Sequence, residues 1–170
     1  MNATLAAWNA AGESAAMDAM IACCGAKRWA RQMVSLRPIA GVEQLSEAAD
    51  RAWAMMQEPD WLEAFACHPR IGERNPTAHA GGQSAAWSRQ EQATASAADG
   101  SVLAELAEGN RLYEERFGFT YIVCATGKSA GEMLSTLRRR LASNRDAELC
   151  EAAEQQRQIM QIRLGKWLIT

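Results

Sequence analysis

Helix-forming residues dominate this sequence and strand-forming runs are scarce, an imbalance that constrains the fold more than any other feature. Ala, Glu, Gln, Arg, Leu and Met fill most of the chain, and all are good helix formers. The clearest periodic segment carries Leu45, Ala48, Ala49, Ala52, Met55 and Met56 at i, i+3, i+4, i+7 spacing, which predicts an amphipathic helix over about 43–57. Two helices precede it, over about 14–24 and 27–36, and Pro38 and Gly41 separate the second from it. Pro59 suits the first turn of a short helix with Trp61, Leu62, Ala64 and Phe65, because its missing donor is not needed there. Pro69 ends that helix, since the residue before a proline is pushed out of the helical region. Further helices are predicted over about 85–97, along Leu103, Leu106, Tyr113 and Phe117, from Ser129 to about Leu141, and from Asn144 or Asp146 to Leu168. Only Phe119–Cys124 reads as strand-like. The reading is an all-α fold of about eight helices. Its one long loop, near 70–83, is marked by Gly72, Asn75, Pro76, Gly81 and Gly82.

A length of 170 residues fits one domain spanning the chain, on a prior of ~100–200 residues per domain. A composition of 48% hydrophobic and 22% charged residues excludes wholesale disorder. Lys plus Arg number 18 against 20 for Asp plus Glu, so the basic excess of a nucleic-acid binder is missing and no such partner is expected. No stretch approaches the ~18 uninterrupted apolar residues of a membrane span, and the N-terminus lacks the basic region of a secretory signal. Cys23, Cys24, Cys67, Cys124 and Cys150 are odd in number and show no Cys-x-x-Cys spacing, which points to a reducing compartment. The only histidines are His68 and His79, so no metal site is expected. The expectation is a cytoplasmic protein without a membrane partner.

His68 stands at the mouth of the long loop, immediately before Pro69. A rigid His-Pro step would fix an imidazole against the scaffold, and histidine is the side chain best able to exchange protons near neutral pH. A histidine near a helix C-terminus is also favourable with the helix dipole alone. Ser88, Glu91 and Gln92 lie at i, i+3 and i+4 and offer a hydroxyl, a carboxylate and an amide on one helical face. The same Ser-x-x-Glu spacing is the signature of a structural capping box. Arg163, among Ile159, Ile162 and Leu164, is either a snorkelling side chain or a carboxylate anchor. Arg138, Arg139 and Arg140 are followed by Glu148, Glu151 and Glu154, and read as a solvated face. His79 is given no role.

Four motifs in order carry a resemblance: His68-Pro69-Arg70-Ile71-Gly72-Glu73, Ser88-Arg89-Gln90-Glu91-Gln92, the run from Phe117 to Cys124, and Ile159-Met160-Gln161-Ile162-Arg163-Leu164. Together they resemble 2-oxo-4-hydroxy-4-carboxy-5-ureidoimidazoline (OHCU) decarboxylases, from about Trp29 to Leu164. Tyr121 stands where phenylalanine is common in that family. The resemblance implies an all-helical, cofactor-free homodimer acting as a carboxy-lyase. Its substrate would be the small ureidoimidazoline formed in urate breakdown, and its product (S)-allantoin. It further implies His68 and Glu91 as catalytic residues. Pro69, Ser88, Gln92, Phe119, Ile122, Val123 and Arg163 would bind the substrate, the extended run through its backbone groups.

Two other readings are open. In a non-enzymatic helical interaction module, Ser88 and Glu91 would only cap and His68 would only end a helix. In a hydrolase, Cys67 or Cys124 would be the nucleophile.

Overall fold

A protein that spends almost all its residues on helices must decide where each helix stops. The structure, a computed structural model, describes residues 2–73 and 82–170. Among these it has ten helices and no strand. They are α1 (Ala3–Ala10), α2 (Glu13–Cys24), α3 (Lys27–Ser35), α4 (Val42–Ala54), α5 (Glu58–Ala66), α6 (Gly82–Glu91), α7 (Ala93–Ser96), α8 (Gly100–Phe117), α9 (Ala130–Leu141) and α10 (Arg145–Trp167). The count exceeds the expected eight for two reasons. The short α1, capped by the Asn2 side chain on the Leu5 amide, has too few turns to show a period. The segment expected as one helix over about 85–97 breaks at Gln92 into α6 and α7. Most of the long loop expected near 70–83, His79 included, lies outside the described residues.

The chain forms two compact units, one of Met1–Ala64 with Arg157–Thr170 and one of Phe65–Gln156. The first buries Leu5, Met20, Trp29, Met33, Leu45 and Met160 completely or nearly so. Two of its buried indole nitrogens donate to carbonyls, Trp8 Nε1 to Ala16 O at 3.0 Å and Trp29 Nε1 to Ala49 O at 3.1 Å, whereas Trp61 Nε1 is buried without a hydrogen-bond partner among the described residues. The end of α10 is tied to α4 by Arg157 on Asp50 and by Gln161 on Ser46 and Asp50. Trp8 meets Trp167 edge to face with centroids 6.0 Å apart.

In the second unit α8 and α9 pack so closely that a Cβ at Gly109 would stand 2.6 Å from Leu137 Cδ2. Only glycine allows that approach. Gly118 ends α8 in the left-handed conformation, φ 81°, which releases the chain into the run from Phe119 to Cys124. That run, expected as strand-like, forms neither strand nor helix. Side chains replace the ladder: Arg140 donates to Ile122 O at 2.7 Å, the Cys124 amide donates to Gln155 Oε1 at 2.8 Å, and Lys128 Nζ donates to Cys124 O at 2.6 Å.

Arg140 corrects the reading of the basic run as a solvated face. Arg138 and Arg139 are exposed, and Arg138 pairs with Glu105, but Arg140 is 1% exposed. Its guanidinium donates to Glu148 Oε2 at 2.8 Å and to the Tyr113 hydroxyl at 3.2 Å, and stacks 5.0 Å from the Tyr121 ring centroid. Glu148, 2% exposed, also accepts from the Tyr113 hydroxyl at 2.7 Å. Burial pushes the Tyr113 and Tyr121 phenols above their usual range, so both remain protonated donors. One helical turn carries two surface arginines and a buried one because 3.6-residue periodicity turns position 140 toward the core, with Met133 and Leu137.

Candidate active site

His68 follows the end of α5, and its amide donates to Phe65 O at 3.1 Å. Side chains from elsewhere in the unit hold the residues that come after it. Gln92 spans the turn, with Nε2 donating to Pro69 O at 3.4 Å and Oε1 accepting from the Gly72 amide at 3.2 Å. Asn110 Nδ2 donates to Ile71 O at 3.0 Å. Arg70 makes a two-pronged pair with Glu114, at 2.8 and 2.9 Å. His68 itself is half-buried, with Nε2 2.7 Å from Gln156 Oε1. A segment of irregular backbone is thereby made rigid without secondary structure, which is how a loop can present a side chain with accuracy.

Gln92 also connects two of the motifs. It follows Glu91 in sequence, so its bonds to Pro69 and Gly72 bring the last turn of α6 to the His68 loop. That turn carries Ser88, 3% exposed, and Glu91, half-buried. Neither is an N-cap. Ser88 lies inside α6, with its carbonyl accepting from the Gln92 amide at 3.0 Å, and Glu91 is the last residue of the helix. The capping-box alternative for this pair is therefore excluded. Each end of the Gln92 amide retains capacity for a second partner, one hydrogen on Nε2 and one lone pair on Oε1.

The irregular run from Phe119 to Cys124 lies against the same framework. Phe119, Ile122 and Val123 are 7%, 2% and 4% exposed, and the Phe119 ring packs on Phe65 with centroids 5.6 Å apart. Consecutive glutamines of α10 hold the two irregular strips: Gln155 takes the Cys124 amide and Gln156 takes the His68 ring. Neither glutamine stood out in the sequence, where they sit in the polar run from Glu154 to Gln158. The available signal was periodicity. Leu149, Ala152, Gln156, Met160, Arg163 and Trp167 recur at helical spacing, and all are buried.

Arg163 belongs to the other unit and is 2% exposed. A guanidinium so buried does not snorkel, so that alternative is removed. Burial, reinforced by Cys24, pushes the Cys23 thiol up to about 12 against the opposing pull of Arg163. Cys23 is thus an inert thiol beside a fixed positive charge. Among the described residues no three His, Cys, Asp or Glu side chains are placed to hold a metal ion, and no helix is long and apolar enough to cross a membrane.

The family model for OHCU decarboxylase matches residues 9–165. The uric acid degradation bifunctional protein TTL of Arabidopsis thaliana is 39% identical over 145 residues, 85% of this chain, which spans only 44% of that longer protein. The 2-oxo-4-hydroxy-4-carboxy-5-ureidoimidazoline decarboxylase of Haloferax volcanii is 26% identical over 134 residues, covering 78% of this chain and 76% of that one. A crystal structure of OHCU decarboxylase in the presence of (S)-allantoin superposes with a TM-score of 0.77 at 34% identity, over 90% of this chain and 99% of that one. The (S)-allantoin synthase structure, at 17% identity and a TM-score of 0.70, shares the fold. The chain belongs to the OHCU decarboxylase family.

Proposed function

We propose that this protein decarboxylates 2-oxo-4-hydroxy-4-carboxy-5-ureidoimidazoline to (S)-allantoin in urate catabolism, as one domain over residues 1–170. The observation that carries the reading is the Gln92 clamp, which joins the helix end bearing Ser88 and Glu91 to the loop bearing His68. Family membership over residues 9–165 gives that constellation its chemistry. In the reaction, the bond from ring carbon to carboxylate breaks and carbon dioxide leaves. The electron pair stays on the ring and spreads into a neighbouring carbonyl. The substrate is thus its own electron sink, and the reading needs no cofactor or metal. What the protein must supply is orientation, stabilisation of the developing oxyanion and one proton to one face.

His68 delivers that proton. Glu91 accepts from ring or ureido N–H groups and fixes the substrate for the transfer. Ser88 and the remaining hydrogen-bonding capacity of Gln92 hold the polar edge. Pro69 and the Phe119, Ile122 and Val123 backbone line the ring. Arg163 answers the negative charge, with a planar fork suited to a carboxylate or enolate oxygen. The remaining elements of the proposal are a homodimeric assembly and a cytoplasmic location, the latter consistent with five thiols and no disulfide among the described residues. The test mixes the protein with urate oxidase, the ureide hydrolase and urate, and follows optical rotation. Rapid growth of one allantoin enantiomer, faster than the slow racemic background, is the expected result. A rate equal to that without the protein refutes the reading.

A further inference from the structure

Gln156 is a buried amide with a specific task. It is 0% exposed and sits within α10, one helical turn from Ala152 and from Met160, both fully buried. An amide placed among apolar neighbours is costly unless its polar ends are hydrogen-bonded. Methionine or leucine would fill such a position without that requirement. Its oxygen lies 2.7 Å from His68 Nε2, at the short end of the range for an N–H···O bond. An amide oxygen has no hydrogen to give, so the bond requires the hydrogen on Nε2. In the neutral ring the lone pair then resides on Nδ1.

We propose that Gln156 is a positioning residue, which holds His68 in the Nε2–H form and so fixes the orientation of its ring for proton transfer. The inference deepens, and rests on, the reading of His68 as the acid–base group. Three features favour the assignment. The partner is fully buried, so water does not compete for its oxygen. It is carried by a helix rather than a loop, so its position is set by the i to i−4 ladder. And it is neutral. A carboxylate at the same distance would favour the imidazolium strongly, whereas an amide orients the ring and leaves it able to lose its proton. The neighbouring Gln155 is already engaged by the Cys124 amide, so the two glutamines have separate partners.

The sequence makes the test direct, because His68 and His79 are the only histidines. Long-range proton–nitrogen spectra of protein labelled in its imidazole nitrogens therefore contain two ring systems, and His68→Ala identifies which is which. The wild-type His68 ring is expected as the Nε2–H tautomer at pH above its titration. In Gln156→Met, which keeps length and bulk but removes the acceptor, the ring should shift toward the other tautomer or a mixture. kcat should fall by about 10- to 1,000-fold with KM held within about twofold, less than the ~100- to 10,000-fold typical of losing a positioned acid–base group outright. Gln156→Glu restores an acceptor at the same reach and should restore the hydrogen on Nε2, which guards against a Met variant that simply folds poorly. A wild-type ring protonated on Nδ1, or Gln156→Met spectra and kcat like wild type, overturns the positioning role. A fully active His68→Ala overturns instead the acid–base reading beneath it, so the two failures are distinguishable.

Discussion

Ser129-x-x-Glu132 and Ser88-x-x-Glu91 are the same four-residue pattern put to opposite uses. The first opens α9. Ser129 Oγ accepts from the Glu132 amide at 3.2 Å and Glu132 Oε2 accepts from the Ser129 amide at 2.7 Å, a complete capping box at the surface. That amide holds the Glu132 carboxyl below its usual range. The second closes α6, where the helix's own unsatisfied groups are carbonyls, not amides, so the reciprocal box cannot form. Ser88 and Glu91 therefore do not form the box that Ser129 and Glu132 form, which is consistent with a role outside helix capping. The same division separates the buried Arg140–Glu148 pair, whose groups hold Ile122 and Tyr113, from His68, whose Nε2 meets the buried Gln156 amide.

The strongest challenge to this division is His68→Ala. The variant should retain its helical circular dichroism while turnover falls by ~100- to 10,000-fold. Near wild-type turnover would place His68 with the residues that only build the fold. On the opposite side stands Glu148→Ala, which leaves the Arg140 charge buried without its carboxylate. Loss of one partner of a buried pair costs about 3–5 kcal/mol, so a large drop in the unfolding midpoint is expected. A variant as stable as wild type would mean that the network tolerates the charge.

Between these lies Glu91→Gln. Hydrogen bonds to a charged group contribute about 1.5–3 kcal/mol, so activity should fall on the order of 10- to 150-fold with the unfolding midpoint unchanged. A stable variant with full activity would remove Glu91 from the site. The smallest effect belongs to Ser129→Ala. Loss of that cap should lower stability by about 0.5–2 kcal/mol in denaturant titration and leave kcat and KM as they are. A change in kinetics there would erase the contrast between the two motifs.

Much of this was legible before any coordinates. The helices ending at Cys24, Ser35 and Leu141 and the cap at Ser129 lie within a residue or two of where spacing and capping chemistry put them. The break at Gln92 was not legible. Nothing in 85–97 interrupts helix propensity, and the bonds from Gln92 to Pro69 and Gly72 that accompany the break come from 20 or more residues away. Among the site residues, His68, Ser88 and Glu91 drew attention by type and spacing, but the two glutamines of α10 did not. An amide in a polar run looks solvated until the partner that buries it is known.

The sequence by itself determined that this chain would be helical, where most helices would begin and end, and which ordered motifs tie it to its family. Those properties depend on residues close together along the chain, through propensity, caps and the 3.6-residue period. Tertiary structure alone decided which Ser-x-x-Glu caps a helix, which arginine of Arg138–Arg140 is buried, and which glutamine meets the imidazole. It also decided that the run from Phe119 to Cys124 would be held by side chains rather than by a neighbouring strand. Each of these turns on a partner remote in sequence: 88 residues separate His68 from Gln156, and 31 separate Cys124 from Gln155. Local spacing carries no information about which remote groups the packing of the core will bring together.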